Sequence, residues 1–169
     1  MLPCQFIKGK VKIMLDSVSE TKLNKSLLTV RIIYFALVIS LAIYLFIPHI
    51  IIELHHNSFE GFDKFKEVDL LKNILYLISG LTVIIILILR RFLVIPLITT
   101  NIDEILRALT SGSIFIFALC ESIVLYGLVL FLIAGLLGEF YFLAGLSFVL
   151  FLICFPKRQK WEEIVNQFI

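Results

Sequence analysis

Apolar residues in this chain come in runs too long and unbroken for a water-soluble protein, and the charged residues gather between them. Four runs meet the requirement of roughly 20 apolar residues for a hydrocarbon core about 30 Å thick, allowing for tilt and for snorkelling flanks. They lie at about Ile32–Ile52, Leu70–Leu89, Ile114–Leu137 and Phe140–Phe155. The last is short, and Trp161 and its neighbours can complete it at the interface. The expected fold class is therefore all-α: an integral membrane bundle of four transmembrane helices. Its transmembrane domain is 27–155, between a cytoplasmic amphipathic segment, 1–26, and a cytoplasmic amphipathic tail, 156–169.

Outside the runs, the apolar pattern changes to one face in three or four, the signature of helices lying on a membrane surface. Ile7, Val11, Met14, Leu15 and Val18 form such a stripe, with Lys8, Lys10 and Lys12 mostly off it. In "TTNIDEILRALTSG", Asn101 can cap a helix with Glu104 three residues on, and Ile102, Ile105, Leu106 and Leu109 share a face. Gly112 and Ser113 are expected to break that helix before the third span. The tail pairs Trp161 with Ile164, Val165 and Phe168 in the same manner. Between the first two spans, Phe59, Phe62 and Phe65 stand three apart in a loop that can fold onto the membrane surface.

Composition agrees with this pattern and charge orients it. Of 169 residues, 60% are hydrophobic, and the mean hydropathy is +1.06; soluble domains hold nearer half. Basic residues crowd the segment before the first span (Lys8 to Arg31), the second connection (Arg90, Arg91, Arg107) and the tail (Lys157, Arg158, Lys160). The first connection holds Lys64, Lys66 and Lys72, and the third holds none. By the positive-inside rule both termini are cytoplasmic, and the expected setting is a prokaryotic cytoplasmic membrane. The net charge of +2 is explained by these flanking positions and gives no reason to expect nucleic acid as a partner. No cleavable signal is expected, since the first strongly apolar run is too long for one. Cys4, Cys120 and Cys154 lack CxxC spacing and read as small packing residues.

One residue breaks the pattern. In "FALCESIVLYGLVLFLIAG", Phe117 to Gly135, a single carboxyl, Glu121, stands among apolar and small residues. With the third span starting at Ile114, it lies about 10 Å below the edge. A carboxylate there costs a few kcal/mol, so the group is expected to be neutral unless it faces a cavity, a cation or good donors. Such a group is either a proton or cation site, or a protonated residue that joins two helices as packing glue.

The segment "ALCESIVLYGLVL", Ala118 to Leu130, resembles the carboxylate helix of the proteolipid subunit (subunit c) of rotary ATP synthases and vacuolar-type ATPases. The matching order is Ala118, Glu121, Ser122, Tyr126, Gly127 and Leu128. In that family a hairpin holds its polar loop in the cytoplasm and the carboxylate helix runs outward from it, which is the sense of the second and third spans here. The resemblance implies a reversible proton site at Glu121. The chain departs from the family in four ways. The helix before the loop, "ILYLISGLTVIIILIL", has only Gly80 where the family is glycine-rich. The loop is longer, a span is added on each side of the hairpin, and Phe131 stands on a face that the family keeps small.

Counting inward from the basic flanks at 1.5 Å per residue, Ser40, Thr82, Ser122 and Ser147 fall at about the depth of Glu121, roughly 12–15 Å. Either they form one polar layer around the carboxyl, or they are the scattered hydroxyls common in membrane helices. Cys120, Gly127 and Ala134 are seven apart and form a small-residue strip for close helix packing, against a helix of the same chain or of another subunit. At the outer end of the first span, "PHIIIELHH" places His49, Glu53 and His56 near one face. They are candidate metal donors by chemistry, but the spacing is not that of a zinc motif, and interfacial histidines are more often solvated or hydrogen-bonded. No phosphate loop, nucleophile with a base, or paired carboxylates in a span points to an enzyme, and no cofactor is implied.

Two functions remain: a membrane protein in which Glu121 carries a proton or cation, or a non-catalytic accessory or scaffold subunit in which Glu121 is structural. Both call for the lipid bilayer and for a homo-oligomer or a membrane-complex partner, because four helices with one carboxyl make a poor transporter alone. The topology predicts that a probe at Asn57 reacts from outside intact cells while probes at Asn101 and the C-terminus are protected. Labelling of Asn101 from outside would overturn the orientation.

Overall fold

The apolar runs are the central parts of longer helices in the structure, a computed structural model. It describes residues 4–54, 59, 61, 68–92 and 102–166, with side chains over 20–54, 59, 61, 68–91 and 102–164. The elements are α1 (Cys4–Leu54), α2 (Val68–Phe92), α3 (Ile102–Ala134), α4 (Leu137–Ile153) and α5 (Arg158–Asn166). Three helical stretches, Glu20–Leu54, Val68–Arg91 and Ile102–Ala134, are long and apolar enough to cross a membrane. A fourth qualifies if α4 and α5, bent by 54° at their junction, are taken as one broken span. The chain is all-α, with no strand among the described residues.

Two helices run through positions where an interruption was expected. The separate surface helix of the first 26 residues is instead the beginning of α1, which has 51 residues and so a length of about 76 Å. Gly112 and Ser113 likewise lie inside α3, which continues unbroken for 33 residues. A glycine in a helix costs about 1 kcal/mol relative to alanine. The buried stripe Ile105, Leu106, Leu109, Ile116 and Phe117 crosses that point and outweighs the cost. The tail helix with Trp161 and Ile164 forms as α5. His56, Phe62, Phe65, Asn101 and Phe168 lie outside the described residues.

The central element is α3, which packs most extensively on α4, then on α1 and α2. Cys120, Ile123, Val124, Gly127, Leu130 and Phe131 are all buried along it. Only a narrow strip, including Phe115, Ala118, Leu125 and Val129, remains exposed. The α3–α4 seam is close because Gly127 has no side chain: a Cβ there would meet Leu143 Cβ at 3.1 Å and the Phe140 carbonyl oxygen at 3.2 Å. Cys120, one heptad earlier, faces the same helix, where its carbonyl accepts a hydrogen bond from Ser147. Ala134, the third member of the strip, is the last residue of α3 and is half-buried.

The turn between α3 and α4 comes earlier than the hydropathy pattern suggests. Gly138 and Glu139 separate the apolar runs, yet the chain reverses at Gly135, whose φ of 68° suits a residue without a Cβ. The Gly135 N–H donates to the Phe131 carbonyl at 2.8 Å and closes the helix. Glu139 is then free to stand in the first turn of α4, where Lys72 and Tyr76 of α2 bond it. From the loop after α1, Phe59 packs on Phe131 at 5.1 Å between ring centroids. Gly61 touches the same turn so closely that a Cβ would collide with the Ile133 carbonyl.

At the opposite end, Tyr34 locks α1 into the bundle. Its ring meets Phe117 at 5.4 Å, Phe151 at 5.8 Å and Phe155 at 5.2 Å, all edge-on. Its hydroxyl donates to the Phe151 carbonyl at 3.3 Å. Nearby ion pairs, Lys22–Asp103 at 2.9 Å and Arg158–Glu20 at 3.1 Å, tie α1 to α3 and α5. Each is exposed, so water and salt screen it and it adds little to stability.

The close α3–α4 seam predicts unequal tolerance of two helix glycines. Gly127→Val should lower stability in detergent by about 1–3 kcal/mol through overpacking. Gly80, which has no heavy atom within 4 Å of a built Cβ, should accept alanine with a change within about 0.5 kcal/mol. Thermal unfolding of the two variants in the same micelle checks this.

Candidate functional site

Glu121 lies on the flank of α3 that faces α1, half-buried, beside the exposed Ala118 and Leu125. On α1 the buried stripe Leu27, Val30, Tyr34 and Leu41 fixes which side turns inward. Ser40 and Tyr44, one helical turn apart, sit together at the edge of that stripe and reach the same point. Ser40 Oγ donates to Glu121 Oε1 at 2.7 Å, and Tyr44 Oη donates to the same oxygen at 3.0 Å. No described residue bonds Oε2, and no described cationic side chain pairs with the carboxyl.

This geometry gives the two carboxyl oxygens different tasks. Oε1 is satisfied by two hydroxyl donors whichever protonation state the group holds. The neutral acid places its hydroxyl at Oε2; the carboxylate shares its charge with the two donors through Oε1. A proline enters the same helix next. Pro48 lacks the N–H that would bond the Tyr44 carbonyl four residues back, which leaves that carbonyl without its helical partner.

The hydroxyls expected in one layer divide into two groups. Ser40 reaches Glu121. Ser122 Oγ donates to the Leu119 carbonyl at 2.8 Å, Thr82 Oγ1 to the Ile78 carbonyl at 2.8 Å, and Ser147 Oγ to the Cys120 carbonyl at 2.6 Å. A helical serine or threonine has a carbonyl three or four residues back within reach, so equal depth does not make it face a carboxyl on another helix. Ser147 differs in bonding across the α3–α4 seam. Tyr44 was missed because only the small hydroxyl residues were placed in the layer. Its position one turn from Ser40 was the available signal.

Of the candidate metal donors at the outer end of the first span, His49 and Glu53 are described and His56 is not. His49 Nε2 lies 2.9 Å from Tyr141 Oη, joining α1 to α4. Glu53 is exposed, and no group of three metal-type donors occurs among the described residues. The Glu139, Lys72 and Tyr76 cluster at that same end was also not foreseen, although opposite charges at the outer ends of the second and fourth spans pointed to it.

The shared acceptor predicts energetic coupling. In membrane bundles an interhelical hydrogen bond contributes about 0.6 kcal/mol on average and up to roughly 1.7. Ser40→Ala and Tyr44→Phe should each lose about that amount against wild type, and much less in an Glu121→Leu background; double-mutant cycles on unfolding in mixed micelles measure the difference. Comparison of the chain with protein-family models, with curated proteins and with solved structures finds no match.

Proposed function

We propose that the chain is a small polytopic membrane protein in which Glu121 binds and releases a proton, or a cation in its place, as part of an oligomer or larger membrane complex. In this reading the four spans place both termini in the cytoplasm of a prokaryotic cell, with α4 as the fourth span and α5 on the cytoplasmic surface. The observation that carries it is the carboxyl with one oxygen held by Ser40 and Tyr44 and the other unbonded among the described residues.

Three features support the reading. The segment Ala118 to Leu130 resembles the proteolipid carboxylate helix. Glu121 stands at the margin of the exposed strip of α3, where a helix of a neighbouring subunit can reach it. Along the same α1–α3 seam, towards the end rich in basic residues, lies a groove of about 480 Å³ lined by Lys22, Ser26, Thr29, Asp103, Arg107 and Thr110. Eleven residues, or about 16 Å, separate Thr29 from Ser40 along α1. The groove therefore reaches part of the way along this seam towards the carboxyl.

A second reading rests on the same bonds. Both donors to Oε1 come from α1, so the carboxyl also pins α1 to α3, as a structural residue of an accessory or scaffold subunit would. Glu121→Gln separates the two. Glutamine keeps the volume and hydrogen-bonding capacity but exchanges no proton. Under the first reading the variant inserts and assembles normally, while proton flux driven by an imposed pH gradient falls to the level of protein-free vesicles. Undiminished flux in a normally assembled variant would leave the pin as the only role.

A further inference from the structure

We propose that the cavity at the bend between α4 and α5 holds the phosphate of an anionic phospholipid. The cavity, of about 100 Å³, is formed where three elements converge: Arg90 from the last turn of α2, Phe117 from α3, and Phe155, Lys157, Lys160 and Trp161 from the bend and α5. None of the three cations forms an ion pair with a described residue. Three cations around one space, with no ion pair among the described residues, attract an anion with several acceptor oxygens, and a phosphate meets that need.

The other walls identify the source of the phosphate. Phe117, Phe155 and Trp161 would leave a free, hydrated ion against apolar surface, whereas a lipid brings its own glycerol and acyl chain to cover them. The level in the membrane is also right. As a helix of 17 residues, α4 is about 26 Å long, close to the thickness of a hydrocarbon core, so its end and the turn into α5 fall near the headgroups. Trp161, 95% buried on the inner side of α5, marks that level. This inference rests on the chain lying in a bilayer and is independent of the role of Glu121.

Trp161 is the only tryptophan, so its fluorescence reports on this cavity alone. The test reconstitutes the full chain in phosphatidylcholine and compares quenching by phosphatidylglycerol and by phosphatidylcholine, each brominated on the acyl chain near the headgroup. Brominated phosphatidylglycerol should quench more strongly at equal mole fraction. Arg90→Gln should lower that preference about fivefold, the usual effect of one charge near the membrane surface, and Lys157→Gln with Lys160→Gln should lower it further. Arg90→Lys should retain it even if the glutamine variant fails to fold. Arg91→Gln, exposed and outside the cavity, should leave it unchanged. Equal quenching by the two lipids overturns the proposal. So does a loss in Arg91→Gln as large as in Arg90→Gln, which signifies diffuse surface charge. Relief of the quenching by millimolar inorganic phosphate would assign the cavity to a free anion and overturn the lipid.

Discussion

Hydrocarbon offers no hydrogen bonds, so a polar group within the apolar part of this bundle is stabilised by a partner in the protein. The internal architecture follows that constraint. Thr82, Ser79 and Ser122 turn back to carbonyls of their own helices and leave packing undisturbed. Ser147 crosses from α4 to the Cys120 carbonyl, at the close seam that Gly127 permits. Glu121 is too acidic and too large to be satisfied locally, and it draws two hydroxyls from α1. Among the described residues, charged groups pair towards the ends, where Lys22, Asp103, Glu20 and Arg158 occupy one and Lys72 and Glu139 the other.

The consequence is that α3 joins the bundle by two different means. Against α4 it uses shape: a glycine, small groups, and the rings of Phe117, Phe131, Phe140 and Phe151. Against α1 it uses the Tyr34 aromatic cluster at one level and the Glu121 hydrogen bonds at another. Shape contacts along α3–α4 hold without any ionisable group. The α1 contact, in contrast, includes a carboxyl, and the same seam carries the polar groove.

Much of this was legible in the residues. Hydropathy located the helices because a span's length and composition are dictated by the hydrocarbon itself. It misjudged their ends because Gly112 and Gly138 look like breaks in one dimension, while burial of Ile105, Leu109 and Ile116 carries α3 through the first. The reversal at Gly135 depends on a positive φ that no apolar pattern encodes. Depth counting brought Ser40 to Glu121 but placed Thr82, Ser122 and Ser147 there too, since depth fixes the level along a helix and not the direction of a side chain. Tyr44 enters through the length of its ring, and the cavity beside Trp161 through the convergence of segments that are distant in the chain.

The account depends on Glu121 changing its protonation state while Ser40 and Tyr44 stay in place. Infrared difference spectra of the reconstituted protein, taken between two pH values, observe this through the carbonyl stretch of a protonated carboxylic acid. The account predicts a band that appears and disappears reversibly, is absent in Glu121→Gln, and shifts in Tyr44→Phe as one hydrogen bond to Oε1 is removed. A difference spectrum without such a band, or with one that persists in Glu121→Gln, would contradict it.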